Sequence, residues 1–317
     1  MLKLFSRKQQ SFGQVGLSVG EDRVLVAQVS RPASVAGHRP FLEKCSRQAL
    51  ESGAQTREVV TALVDSMELA GADCNFVLSA RDYNLYLIEA PAVEPAELRS
   101  AVRWKIKDLL DMPVEDAVID IFPVPEDAFQ GRARMMYAVA AQRSKIESVI
   151  ELVSRAGLNL NAIDVPEMAL LNVSSELLDD RNGLAFMDLR RTGSTMNLSR
   201  SGQLYLTRKI NTSLGTDVMA SMDWEMQRDR LVLEIQRSLD YYESQMGQNP
   251  ISQIVLAPRA SDSAAMVASL SEVMSVQVGV LDFADSLDMA EPVDAETQHS
   301  CAIVIGAAMR TGKAGTL

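Results

Sequence analysis

A strand–turn–strand pattern occurs twice in this chain, about 170 residues apart. In residues 14–30, apolar side chains alternate on both sides of a turn at 20–22. In residues 183–211, short apolar segments flank a turn at 190–193, and a third strand follows a second turn at 201–202. Alternation with period two is typical of half-buried strands, and glycine among polar residues is typical of tight turns. The repeat predicts that each half of the chain builds its own sheet around such a hairpin.

The segment between the two repeats predicts a unit inserted into the first half. Apolar residues at helical spacing over 96–110 are followed by two alternating strands and by a second helix that ends at Gly157. Strands and helices alternate through the rest of the chain, as in layered α/β proteins. The length of 317 residues exceeds one ordinary core. We therefore expect an α/β fold with two lobes and an inserted subdomain in the first lobe.

The expected subdomain boundaries lie where one pattern stops and the next begins. The first lobe comprises a subdomain over 1–82, joined by 164–182 and a final helix at 302–312, and the insert over 83–163. The second lobe comprises a sheet subdomain built from 183–211 and 250–300, and a helical subdomain over 212–249.

The bulk properties exclude several classes of function. The net charge of −11 leaves no basic excess to displace the counterions of a nucleic acid. We find no apolar stretch of the length that a bilayer span needs. Three widely spaced cysteines and two histidines give no disulfide framework, zinc site or serine–histidine triad. The sequence therefore predicts a cytoplasmic protein with no metal and no nucleic-acid partner.

Five segments resemble, in the same order, the PilM-type family of type IV pilus assembly proteins, and most closely its MshI members from the MSHA pilus. The segments are GLSVGEDRVLVAQVS from residue 16, AVRWKIKDLLDMPVEDAVIDIF from 101, GQLYLTRKI from 202, LEIQRSLDYYESQ from 233 and CAIVIGAAMR from 301. The order over nearly the whole chain is more specific than any one segment.

The resemblance implies an actin-like, FtsA/PilM-type two-lobed fold with duplicated sheets and an insert in the first lobe. It also implies a cytoplasmic scaffold that lies peripherally at the inner membrane of a Gram-negative bacterium. Its partner would be the short cytoplasmic N-terminal tail of a PilN-like bitopic membrane protein, with other assembly-platform proteins as further candidates. The family pattern places the tail in a cleft between the first subdomain and its insert, and the membrane is then reached only through the partner.

In the same family, two phosphate hairpins hold ATP between the lobes. The first hairpin reads Asp-x-Gly-Ser, but Ser18 stands at the Asp position here, Gly20 is kept, and Glu21 replaces the Ser. In the second hairpin Asp188 is kept, whereas Arg190 replaces a Gly. A guanidinium there either crowds the backbone or neutralises a phosphate. The later positions Gly193 and Thr195 still allow a phosphate loop to form.

Three further segments complete the comparison with the nucleotide site of the family. The adenosine loop at 257–261 has no glycine and contains Pro258, which lacks an N–H donor. Glu234 and Arg237 match positions that hold the ribose and base, but the same i,i+3 pair is also ordinary on a helix surface. At the crossing helix Pro166 stands where an acidic residue is usual, and Glu167 substitutes only if the alignment slips by one.

These departures predict a pseudo-ATPase without a cofactor. The alternative is a PilM-like ATPase that still binds ATP and magnesium as a switch. An active ATPase or a sugar kinase of this fold would need an acidic residue at 18 and a glycine-rich turn at 257–261. A GspL-like secretion protein would need a transmembrane helix after the domain, and an FtsA relative would need a C-terminal amphipathic helix.

The insert contains the residues that we expect to contact the partner. Trp104 is one of two tryptophans and lies beside Arg103 and Lys105, with Ile106 following. An aromatic surface supplies contact area for a peptide, so we place Trp104 and Ile106 at the edge of the tail-binding cleft. The competing interpretation makes Trp104 part of the core of the insert.

Overall fold

The computed structural model describes residues 13–31, 39–50, 55–129, 133–191, 193–212, 214–215 and 218–311. These residues form the strands β1 Gln14–Val19, β2 Arg23–Ser30, β3 Phe41–Ala49, β4 Asp73–Val77, β5 Tyr83–Glu89, β6 Ala117–Pro123, β7 Met135–Gln142, β8 Asn159–Asp164, β9 Leu184–Asp188, β10 Ser194–Arg200, β11 Gln203–Ile210, β12 Gln253–Leu256, β13 Gln277–Val280 and β14 Asp288–Met289. The helices are α1 Thr56–Ser66, α2 Leu98–Lys105, α3 Arg143–Arg155, α4 Pro166–Leu177, α5 Trp224–Ser244, α6 Ser263–Ser271, α7 Phe283–Ser286 and α8 Ala295–Ala308.

Two sheets repeat one topology. The first sheet has the order β14-β3-β2-β1-β4-β8, and the second has the order β11-β10-β9-β12-β13. In each, three antiparallel strands are followed by two strands parallel to the first. The two-lobed α/β fold with a duplicated sheet is therefore confirmed. Sequence alternation did not indicate β3, because polar residues interrupt it and the strand is only partly buried.

The strands bury different residues on their two faces, as period-two alternation requires. On β1, Val15 and Leu17 pack with α1 and α3, whereas Leu25 and Ala27 of β2 pack with α4 and α8. In the second sheet Phe186 packs against the same two helices. The helices α4 and α8 therefore form a layer between the two sheets, and α5 and α6 cover the outer face of the second sheet.

The close packing of α8 on β1 and on α4 depends on one glycine at each contact. A Cβ at Gly16 would lie 1.8 Å from the carbonyl oxygen of Val304 in α8. A Cβ at Gly306 would lie 2.0 Å from the carbonyl oxygen of Ala169 in α4. Backbone cannot move aside as a flexible side chain does, so both contacts require the absence of a side chain.

The insert contributes a third sheet with the order β5-β7-β6. The helix α2 covers one face through Val102 and Ile106, which are fully buried. The opposite face packs on the second lobe, where the backbone N–H of Thr207 donates to the Tyr137 hydroxyl at 3.0 Å. The helix is shorter than the expected 96–110, since short 3₁₀ turns occupy its two ends.

The strand pairing adds one correction to the expected architecture. The strand β8 falls inside the expected insert 83–163, yet it pairs in parallel with β4 in the first sheet. The third sheet ends with β7 at Gln142. The helix α8 starts at Ala295 rather than at 302, because the polar residues of its first turns are buried and hydrogen-bonded. The remaining subdomain boundaries stay predictions.

Candidate functional site

The two hairpin turns face each other across a cleft of about 520 Å³. We call this space the interlobe cleft; its walls are the β1–β2 turn, the β9–β10 turn, the start of α4 and the first turns of α8. Five residues of the expected nucleotide site line it, namely Ser18, Gly20, Asp188, Gly193 and Thr195. The fold therefore brings together both hairpin parts of the expected site.

The first hairpin offers no carboxylate at the position of the family aspartate. The hydroxyl of Ser18 is buried and donates to the Val77 carbonyl of the neighbouring strand at 3.0 Å. The turn is tight, with the Gly20 N–H donating to the Arg23 carbonyl at 2.9 Å. The Glu21 carboxylate in the turn is exposed and forms an ion pair with Arg81.

The second hairpin keeps its carboxylate but pairs it internally. Arg190 Nε donates to Asp188 Oδ2 at 2.7 Å, and Arg190 Nη2 donates to the His299 carbonyl of α8 at 2.7 Å. The side chain of Asp188 is 7% exposed and that of Arg190 is 24% exposed. The other oxygen, Asp188 Oδ1, is buried without a hydrogen-bond partner. The guanidinium thus occupies one side of this carboxylate.

The loop at 257–261, which follows β12, also contains an arginine. Arg259 is buried and donates to the Leu189 carbonyl at 3.4 Å and to the Gly215 carbonyl at 3.1 Å. Burial lowers the pKa of Arg259 from its ordinary value. His299 Nδ1 lies 2.9 Å from the Pro258 carbonyl oxygen. Because a carbonyl only accepts, Nδ1 carries the proton, and burial followed by the charge of Arg190 lowers the pKa of His299.

Three other residues considered for the nucleotide site, Glu167, Glu234 and Arg237, do not line the interlobe cleft. Glu234 and Arg237 form an ion pair of 2.9 Å with each other on the exposed side of α5, as the helix-surface interpretation requires. Pro166 lines the cleft, but Glu167 is buried and accepts from the Tyr83 hydroxyl at 2.6 Å. Burial disfavours the charged carboxylate and therefore raises the pKa of Glu167.

The residues that line the cleft do not fit a magnesium-bound triphosphate. The described residues of the lining include four carboxylates and four arginines, so among them no positive excess remains for a polyanion. Each carboxylate is paired with an arginine: Glu21 with Arg81, Asp22 with Arg23, Asp188 with Arg190 and Glu296 with Arg47. Magnesium needs carboxylate or water oxygens in octahedral geometry. Among the described lining residues, the buried atom without a hydrogen-bond partner is Asp188 Oδ1, which supplies a single contact.

Solved structures resemble this chain over almost its full length. A structure of the PilM–PilN type IV pilus biogenesis complex has a TM-score of 0.69 and 18% identity, over 94% of this chain and 98% of that one. A Bacteroides thetaiotaomicron protein of unknown function with an actin-like ATPase fold has a TM-score of 0.51 and 8% identity, over 94% and 99%. The cytoplasmic domain of EpsL, an inner membrane component of the Vibrio cholerae type II secretion system, has a TM-score of 0.50 and 9% identity, over 95% and 96%.

This chain has an actin-like fold. Identities this low establish the fold alone and leave the function to the residues of the site. No protein-family model matches the chain, and no curated protein shows significant similarity to it.

A second concavity of the actin-like fold lies within the first lobe. It has a volume of about 470 Å³ between α1 and α3, and we call it the first-lobe groove. The lining combines an apolar wall with charged residues at its rim. The apolar residues are Val19, Phe76, Val149 and Leu152, and the charged residues include Arg57, Arg81, Asp82, Lys145 and Glu151. The turn residues Gly20 and Glu21, with Ser79 and Arg81, also line the interlobe cleft, so the two spaces share one wall.

The two residues expected at the partner site do not line either concavity. Trp104 lies on α2 with 60% of its surface exposed, which excludes the interpretation as insert core. Ile106 is fully buried beneath α2 and packs in the core of the insert. The sequence missed the contacts of Arg259 and His299, which are separated from their partners by many residues.

Two further expectations concern membranes and metals. Within the described ranges, no helix is both long and apolar enough to cross a bilayer. The same residues contain no cluster of three or more histidine, cysteine or acidic side chains arranged to hold a metal ion.

Proposed function

We propose that this protein is a scaffold of type IV pilus assembly, of the MSHA kind, that binds the cytoplasmic tail of a PilN-like inner-membrane protein. The observation that carries this proposal is the similarity to the PilM–PilN complex, which extends over 94% of this chain and 98% of that one. In the same proposal the protein does not turn over ATP and lies in the cytoplasm, peripherally at the inner membrane through its partner. A net charge of −11 favours recruitment by a protein tether over attraction to anionic lipid.

The first-lobe groove is the docking surface in this proposal. It lies between α1 of the first subdomain and α3, which belongs to the expected insert 83–163. Its apolar wall suits the apolar residues of an extended tail, and its charged rim suits the polar residues beside them. A short tail that becomes ordered only on binding has a lower affinity, because ordering it costs conformational entropy. A lower affinity suits reversible assembly.

The docking test is titration of a labelled synthetic peptide of the PilN-like protein's cytoplasmic N-terminus, followed by fluorescence anisotropy. We expect Leu152→Asp, which places a charge on the apolar wall, to weaken binding at least about tenfold. The matched control is Leu233→Asp on α5, where the leucine is 45% exposed and outside the groove. Circular dichroism checks that both variants fold.

The peptide titrations distinguish two docking surfaces, the first-lobe groove and the outer side of α2. Unchanged affinity in Leu152→Asp together with weakened affinity in Trp104→Ala would move the docking site to the outside of α2. Ile106→Asp is unsuitable as a probe, because the residue is fully buried and its substitution disrupts the core of the insert.

ATP binding as a switch is the second candidate. The observation that favours it is the orphaned Asp188 Oδ1 beside a cleft of about 520 Å³. Isothermal titration with ATP, with and without magnesium, distinguishes the two proposals, and we expect no magnesium-dependent heat. We also expect phosphate release at background level. Release above background that disappears in Asp188→Ala would contradict the pseudo-ATPase proposal.

A further inference from the structure

One side chain joins the second lobe to α8 at the centre of the interlobe cleft. Arg190 extends from the β9–β10 turn, and its Nε donates to Asp188 Oδ2 within the same lobe at 2.7 Å. Its Nη2 donates to the backbone carbonyl of His299 in α8, also at 2.7 Å. The helix α8 packs on β1 and β2 of the first sheet and also on Phe186 of the second, so the guanidinium adds a polar contact to an apolar layer that already joins the two lobes.

The ring of His299 makes a second connection at the same place. Its Nδ1–H donates to the Pro258 carbonyl, at 2.9 Å, in the loop that follows β12 of the second sheet. The residue thus contacts the second lobe twice, through its carbonyl and through its ring. We call Asp188, Arg190, His299 and Pro258 together the Arg190 bridge.

The physical setting makes these contacts strong. Charge-assisted hydrogen bonds are about twice as strong as neutral ones, and a water-poor surrounding strengthens them further. Asp188 is 5% exposed and His299 is half-buried, so water competes little for the carboxylate. Arg190 belongs to the chain itself, so its occupancy does not depend on any ligand concentration. A bound ligand, in contrast, stabilises the state that it binds by an amount that depends on the free ligand concentration.

We propose that the Arg190 bridge is a built-in replacement for a bound ligand, which holds the two lobes in one fixed arrangement. Arg190 alone supplies both a positive group beside Asp188 and a hydrogen bond to α8. The first-lobe groove shares a wall with the interlobe cleft, and a fixed cleft therefore keeps that wall in place at all times. The arrangement of the lobes is independent of ATP and magnesium.

The test measures the distance between the lobes by pulsed electron paramagnetic resonance. Spin labels are attached at Glu147→Cys on α3 and Glu272→Cys after α6, both of which are exposed. A Cys45→Ser background removes the one native thiol that is not classed as buried. The full chain is measured with and without ATP and magnesium.

We expect a single narrow distance distribution that ATP and magnesium leave unchanged. Arg190→Met keeps the unbranched stem of the side chain but removes both donors, and we expect it to broaden the distribution by several ångström. Arg237→Met is the matched control, because that arginine pairs only with Glu234 on its own helix among the interactions described here. The control keeps the narrow distribution.

Two results would overturn the proposal: an Arg190→Met distribution as narrow as the control, or a wild-type distribution that narrows with ATP and magnesium. If Arg190→Met fails to fold by circular dichroism, Asp188→Asn is measured instead. It keeps the size of the side chain but removes the charge that positions Arg190, so broadening supports the bridge and an unchanged distribution contradicts it. No pilus partner is present in this experiment, so its outcome is independent of the docking test.

Discussion

The two hairpins that face each other across the interlobe cleft differ in the polar groups near their turns. In the first, the Ser18 hydroxyl bonds to its own sheet. In the second, the carboxylate of Asp188 is present but is paired with Arg190. A charged residue at a motif position therefore indicates little about ligand binding until its own hydrogen-bond partners are known. A substitution removes the oxygen that could bind a ligand. Internal pairing keeps the oxygen but occupies it with a donor from the same chain.

The two sheets differ in how closely a neighbouring helix packs on one strand of each, and Gly16→Ala tests this with the largest expected effect. The new Cβ would meet the Val304 backbone at 1.8 Å, so we expect a loss of about 3 kcal/mol in the free energy of unfolding. Gly279→Ala in β13 is the control, since no atom lies within 4 Å of its Cβ. There we expect a small gain of about 0.5 kcal/mol. Urea unfolding followed by circular dichroism measures both; equal effects would mean that α8 does not pack closely on β1.

The comparison between the hairpins is tested directly by Asp188→Ala and Ser18→Ala. Removal of the Asp188 carboxylate leaves a partly buried guanidinium without its ion partner, and we expect a cost of about 2 kcal/mol. The figure lies below that of a fully buried pair because Arg190 is 24% exposed. Ser18→Ala removes one hydrogen bond and costs about 1 kcal/mol. The same unfolding assay ranks the two, and the reverse order would mean that the Arg190 pair adds nothing to stability.

A buried carboxyl with an uncharged partner provides the next contrast. Glu167 accepts from the Tyr83 hydroxyl, and burial raises its pKa above the ordinary 4.5. The folded state holds this proton more tightly than the unfolded chain, so the contribution of Glu167 to stability is lost as the pH rises through the folded-state pKa. We expect Glu167→Gln, which does not ionise, to be more stable than the wild type at pH 7 by about 1 kcal/mol. The difference should vanish near pH 4; a difference of equal size at both pH values would contradict the argument.

The exposed pair of Glu234 and Arg237 is the surface counterpart of Asp188 and Arg190, and it gives the smallest expected effect. Both side chains are more than a third exposed, so solvent screens the pair. We expect Glu234→Ala to change the free energy of unfolding by less than about 0.5 kcal/mol. A larger loss, or a change in ATP binding measured by titration, would restore these residues to the candidate site.

The sequence predicts the fold well wherever alternation or helical spacing is clean. The β1–β2 hairpin and the strands of the insert lie close to where the alternation of apolar residues predicts them. The pattern fails at β3, where Glu43 and Lys44 interrupt it. It fails again at the start of α8, where Gln298 is polar yet buried, because it accepts a bond from the Phe283 N–H.

In the candidate site too, some features can be predicted from the sequence and others cannot. The absence of a carboxylate at position 18 is visible in the residue type alone. The role of Arg190 is not, because its decisive partner lies 109 positions further along the chain. Local sequence left two meanings open for this arginine, and only the folded arrangement selects one of them.

The glycine contact between β1 and α8 has a consequence for how the protein forms during translation. The strand that starts the described chain packs on a helix that leaves the ribosome almost 300 residues later. At ordinary elongation rates of about 5–20 residues per second, the first sheet waits for roughly 15 s to a minute with one face uncovered. Until α8 arrives, the apolar side chains of β2 that it will cover are open to other chains. Newly made first lobes are therefore the form of this protein most in need of a chaperone.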